Sequence, residues 1–146
     1  LQAYLPTLTI GKWDVLVEGY DVSIIAYGTM VHEALKAAEH LRKDGISAGV
    51  VSASTVKPLD MNMLQEVAST TGAIVTCEDQ SIIGGLGSAV SETLIETTPI
   101  PMERIGLRDV FATSGSADEL YERYGLSFKH IAEACRRVVR RKIQTN

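Results

Sequence analysis

Glu78 and Asp79 stand side by side at the end of an apolar run, Ala73-Ile74-Val75-Thr76-Cys77, and three glycines follow at Gly84, Gly85 and Gly87. Adjacent carboxylates in a cleft can divide into a general acid and a general base. Glycines allow positive φ and close approach of the backbone. The helical pattern behind them, from Ser88 to Glu96 with Leu94 and Ile95, presents unpaired N–H groups and the positive end of a dipole. The segment reads as strand, acidic loop, glycines and helix. An open α/β sheet keeps its functional loop at such a strand's carboxyl end.

Several chemistries compete for this loop. Gly85-x-Gly87-x-x-Val90 lacks the third glycine of the dinucleotide fingerprint and follows the fourth predicted strand rather than the first. Glu103 lies at a spacing that could meet a ribose. Three readings stay open: a nucleotide- or phosphate-binding loop, a tight turn packing helix on sheet, and a loop pressed against a neighbouring domain or subunit. For Glu78 and Asp79 the plain alternative to acid–base work is two solvated side chains. Arg136, Arg137, Arg140, Arg141 and Lys142 form a basic stripe. It suits a helix C-terminus and a solvated face, or else an anion- or partner-docking patch. Cys77 and Cys135 form no C-x-x-C and read as reduced core thiols of a cytoplasmic protein. His32, His40 and His130 form no H-x-x-x-H pair, so no metal site is expected. No G-x-S-x-G, P-loop or Ser-His-Asp set occurs.

The elements that must position these residues alternate. Residues 1–12 read as a linker from a preceding domain, with Leu5, Leu8 and Ile10 able to pack on a neighbouring surface, and residues 13–146 as one domain. Trp13 to Val17 and Val22 to Tyr27 are strands, and the short Glu18-Gly19-Tyr20-Asp21 turn predicts them as antiparallel neighbours. Thr29 is placed to cap a helix to Asp44, and Asp60 to cap a helix over 61–71. Strands follow at 48–54, 73–77 and 102–106. Ser116-Ala117-Asp118-Glu119 is a capping box, and Ser127 is placed to cap the last helix. This order predicts a three-layer α/β/α domain with a five-stranded, mostly parallel sheet and one antiparallel edge strand. The 146 residues, 45% hydrophobic and 22% charged, suffice for one globular core. A net charge of −4 gives no reason to expect nucleic acid or an anionic membrane as partner. No apolar run approaches the ~18–20 residues of a membrane span, and no signal peptide is visible. The chain begins at Leu1, which reads as a fragment or a processed chain.

Three segments together carry a family likeness: Asp21 to Leu35 (DVSIIAYGTMVHEAL), Val56-Lys57-Pro58-Leu59-Asp60, and Glu78 through Val90. In this order and spacing the chain resembles the C-terminal domain of the transketolase-like thiamine-diphosphate enzymes, from about Ile10 to Lys142. The tail, Gly106 to Gly115 with Glu119-Leu120 and Tyr124-Gly125-Leu126, is most similar to transketolase, above all to the small subunit of split transketolases. Deoxyxylulose-phosphate synthase comes second and the beta subunit of 2-oxo-acid dehydrogenases third. The resemblance implies a strand order of 1-3-2-4-5, at odds with the hairpin. It implies a parent enzyme that transfers ketol units between sugar phosphates with thiamine diphosphate and a divalent metal, Mg. It also implies homo-oligomers, dimers in the family, and partners among the other domains or subunits of the same enzyme. The family's metal–diphosphate motif, Gly-Asp-Gly, does not occur here. No catalytic or cofactor-binding residue therefore carries over, and the chain alone is expected to be inactive and to bind no cofactor. Glu78, Gly84, Gly85 and Gly87 match the family's signature loop, and Gln80 stands where His or Asn is more usual. The competing class is a free-standing nucleotide- or phosphate-binding module that uses the Gly84–Gly87 loop.

Overall fold

A computed structural model describes residues 11–108 and 116–145 of the chain. Most of the predicted linker and the 109–115 part of the tail motif lie outside them. The described elements are β1 (Asp14–Val17), β2 (Val22–Ala26), α1 (Met30–Lys43), β3 (Ala48–Ser52), α2 (Met61–Thr71), β4 (Ile74–Ser81), α3 (Leu86–Thr97), β5 (Met102–Leu107), α4 (Ala117–Arg123) and α5 (Phe128–Thr145).

The sheet runs β1-β3-β2-β4-β5, with β1 antiparallel to β3 and the other pairs parallel. The fold class is as expected, but the predicted β1–β2 hairpin does not form. Asp14 pairs with Ser52 instead. Contacts across the sequence override the short turn. The N–H groups of Tyr20, Asp21 and Val22 all reach the Ser47 carbonyl (3.3, 2.8 and 3.3 Å), and the Asp21 carboxylate accepts the Ser47 N–H at 2.7 Å. The connection is thus drawn to the start of β3. A Cβ on Gly19 would overlap the Gly49 backbone, so the approach needs glycine there. β2 is buried at all five positions and suits the interior, whereas β1 alternates in burial and suits an edge.

Alternation along the strands splits the core in two. Val22, Ile24, Val50, Val75 and Cys77 face α1 and α5, whereas Ile25, Val51 and Ile74 join Trp13 under α2 and α3. Asp60 caps α2 as predicted, accepting Met63 N–H at 3.1 Å, and also takes Trp13 N–H at 2.8 Å. Ser116 caps α4 through Glu119 N–H at 3.2 Å. At α5 the expected Ser127 hydroxyl instead engages His130 Nδ1 at 2.8 Å, and Glu33 of α1 accepts the Phe128 N–H at 2.9 Å. Glu33 is 4% exposed and bonds Lys36 at 3.2 Å, so a buried carboxylate ties α1 to the first turn of α5. At the far end of α5, Lys142 Nζ donates to the carbonyls of Asp21 (2.6 Å) and Thr71 (2.7 Å).

Candidate functional site

The chain leaves β2 towards β3 and leaves β4 towards β5, so the sheet has its switch point between β2 and β4. Crevices at such points, outside the strands' carboxyl ends, are where open α/β sheets place ligands and contacts. Tyr27 to Thr29 border this one on one side and Glu78 to Gly87 on the other.

β4 continues to Ser81, so Glu78 and Asp79 are strand residues, not the acidic loop expected from the sequence. Ser81 still pairs with Leu107 after an irregularity beyond Cys77, which extends the ladder past the apolar run. Successive strand side chains point to opposite faces, which parts the two acids. Glu78 is 1% exposed. Its Oε1 accepts the Leu86 N–H at 2.9 Å and its Oε2 the Gly87 N–H at 2.8 Å. These donors open α3, so a carboxylate of the chain itself fills the anion position of that helix. The expectation of two solvated acids fails at Glu78, because the two N–H groups offset its desolvation.

Asp79 accepts a short hydrogen bond from Thr29 Oγ1, which in turn accepts one from Tyr121 of α4 at 2.9 Å. The Thr29 hydroxyl is thereby drawn away from α1, and the side-chain cap expected there is not made. This Asp79–Thr29–Tyr121 chain joins residues 50 and 92 positions apart, and no local pattern announces it. Glu78 has both oxygens on the start of α3 and Asp79 bonds Thr29, so the two carboxylates do not share a site as an acid–base couple would.

The glycines divide their roles. Gly84 has φ +77°. Gly85, expected to need glycine geometry, has φ −100°. Its constraint is space, since a Cβ would overlap the Glu78 carboxylate. A Cβ on Gly87 would come within 2.9 Å of both Thr76 Oγ1 and Arg104 Cδ. The loop closes on itself: Gly84 N–H donates to Ser88 Oγ (3.0 Å), Ser88 Oγ to the Ile82 carbonyl (3.1 Å) and Ile83 N–H to Ser81 Oγ (3.2 Å). Ile83, at the tip, is 69% exposed.

The remaining candidates are engaged elsewhere. Glu103 does not await a ribose. Its two oxygens take Arg137 Nε at 3.0 and 2.9 Å and Nη2 at 2.8 Å. In the basic stripe, Arg136 pairs with Asp44 at 2.7 Å and Arg141 donates to the Met102 carbonyl, while Lys142 joins the two carbonyls described above. The stripe is thus largely spent on fastening α5. No group of three or more His, Cys, Asp or Glu among the described residues is arranged to hold a metal. No described helix is long and apolar enough to cross a membrane.

Cys77 and Cys135 are free and buried on the α1–α5 side. Burial pushes the Cys135 thiol up to about 12, eased by Arg136 and reinforced by Glu103. Burial, then Cys135 and Glu78, holds the Cys77 thiol well above its ordinary range. In the unfolded chain both ionise near ~8.5. The folded state therefore keeps protons that the unfolded state sheds, and stability should fall as pH rises from about 9 towards 12. Thiol-reagent labelling at pH 8 should be slow in buffer and complete in denaturant. Rapid labelling of either thiol in the folded protein would contradict the burial.

Residues 11–131 match the family model described as transketolase, C-terminal domain. The chain is 49% identical over 134 residues to the 6-deoxy-6-sulfo-D-fructose transketolase subunit SqwH of Clostridium sp. (strain MSTE9), covering 92% of this chain and 42% of that protein. It is 43% identical over 127 residues to the 1-deoxy-D-xylulose-5-phosphate synthase of Trichormus variabilis, covering 86% of this chain and 20% of that protein. Among solved structures, one described as a split gene transketolase, inactive beta4 tetramer, superposes with a TM-score of 0.88 at 44% identity, over 92% of this chain and 44% of that one. The chain thus spans less than half the length of each of these relatives.

Proposed function

Because the chain belongs to the transketolase C-terminal domain family, we propose that it serves as the non-catalytic third domain of a split transketolase, an enzyme that moves ketol units between sugar phosphates. In this reading the thiamine diphosphate and Mg belong to other domains or to a partner subunit. Residues 13–146 form the domain, with 1–12 as the link from what precedes it, and the protein works as a cytoplasmic homo-oligomer. The Glu78–Gly87 loop supports the active-site wall and a subunit contact, with exposed Ile83 at its tip.

One observation carries this reading against a free-standing nucleotide- or phosphate-binding module: the Glu78 carboxylate already occupies the first N–H groups of α3. A phosphate would need those donors. The described residues do not fit a thiamine diphosphate–magnesium centre either, since they hold no metal-ligating cluster and the sequence has no Gly-Asp-Gly. A split subunit is favoured over a deoxyxylulose-phosphate synthase by the higher identity, 49% against 43%, and by the fit to a split-gene structure.

Calorimetry tests the assignment. Titration of the chain with thiamine diphosphate should give no saturable heat that depends on magnesium. Saturable, magnesium-dependent micromolar binding by the chain alone would overturn it.

A further inference from the structure

β5 is the outer edge of the sheet beyond β4. Two of its carbonyls are already used: Arg141 Nη2 donates to Met102 O at 2.6 Å and Arg108 Nη2 to Arg104 O at 3.4 Å. A partner strand would need such acceptors to add to the edge. What the edge offers instead is guanidinium. Arg104 lies across the first turn of α3, packed so close to Gly87 that no Cβ fits between, and its Nη1 donates to the Ile82 carbonyl at 3.3 Å. Arg104, Arg108 and Arg141 line a notch of ≈ 400 Å³ with Ser91, Met102 and Glu103. Glu103, the one acid among these lining residues, is already held by both oxygens on Arg137.

The contrast with other arginines decides the matter. Arg42 pairs with Glu39 and Arg136 with Asp44, each at 2.7 Å. Arg104 and Arg108 have carbonyl partners and no carboxylate among the described residues. A carbonyl aims a guanidinium without neutralising it. Each of the two spends a single N–H of its five on that anchor, and the rest of the planar fork matches anionic oxygens. Prior anchoring also lowers the cost of ordering the side chain on binding.

We propose that this notch binds a phosphate-type dianion, free or as the phosphoryl end of a small molecule, through Arg104 and Arg108. The site lies beside the glycine loop but does not use it, and it goes beyond the family reading above without depending on it.

The test is titration of the chain with inorganic phosphate, and in parallel with glycerol phosphate, at constant ionic strength, followed by amide NMR. Saturable shifts are expected around Ser91, Arg104 and Arg108. Replacing both arginines (Arg104→Gln with Arg108→Gln) should weaken binding at least ~10-fold, a loss of ~1.4 kcal/mol or more. Arg42→Gln removes one such charge from a paired surface arginine and should change it less than ~2-fold. If the double variant does not fold, Arg108→Gln alone, on an exposed side chain, carries the comparison with Arg42→Gln. Tighter binding of the ester would assign a phosphorylated metabolite, and equal binding would assign free phosphate. Absence of saturation, equal loss in Arg42→Gln, or shifts centred on Gly84–Gly87 would overturn the proposal. So would a double variant that binds phosphate normally yet fails to assemble with its partner subunits, since the notch would then be a surface for acidic protein.

Discussion

Glu78→Ala should destabilise the domain by about 3–5 kcal/mol, a large share of the ~5–15 kcal/mol that holds a typical domain folded. The carboxylate accepts two N–H groups inside the protein, and hydrogen bonds to charged groups contribute ~1.5–3 kcal/mol each. Alanine leaves both donors buried without a partner and opens space beside Gly85 and Gly106, which pack against this side chain. Glu78→Gln separates the two effects. Its amide oxygen can still take one N–H, but its NH2 then faces the other donor, so a loss of about 1.5–3 kcal/mol is expected. Urea unfolding gives both numbers. If Glu78→Ala costs less than ~1 kcal/mol, the carboxylate does not hold the start of α3.

The second large effect is expected at Gly85, and it should be coupled to the first. Gly85→Ala should cost about 2–4 kcal/mol, because the new methyl claims the space of the Glu78 carboxylate and pushes it off its donors. Gly85→Val adds bulk and should cost more. In a Glu78→Ala background the same Gly85→Ala change has nothing to displace. The double-mutant cycle should therefore show a coupling of about 1.5–3 kcal/mol. Additive costs would mean that the residue answers to its backbone and not to its neighbour. Gly84→Ala is the control. Its φ of +77° costs a side chain about 1–2 kcal/mol, with open space around it, and no coupling to Glu78 is expected.

How much of this was readable from the sequence depends on how local the cause is. The α2 helix was expected over 61–71 from the Asp60 cap and the apolar spacing behind it, all inside one short window, and the structure reproduces it, with Gly72 as its left-handed C-cap. The five strands were legible from apolar runs and breakers. Their order was not readable from the turn, because the partner of Tyr20 and Asp21 is Ser47, more than two dozen residues on. The signature loop was recognisable as a pattern, but the pattern hides its reason. Carboxylates are mostly exposed, so nothing local marks Glu78 as buried or Gly85 as its spacer. Arg104, Arg108 and Arg141 meet only because β5 and α5 run side by side, and no spacing rule brings them together.

The fastening of α5 has a consequence in time. The Asp21 carbonyl waits 121 residues for Lys142, which is about 6–24 s of synthesis at ~5–20 residues per second. Until then, Val22, Val50, Val75 and Cys77 have α1 as cover but not the helix that brings Ile131, Cys135 and Val138. The nascent domain is thus an unlatched half, with an apolar flank open to whatever binds unfinished chains. A stop codon in the first turn of α5, before Ile131, would leave it in that state for good, while most of the sequence, the glycine loop included, had been made correctly.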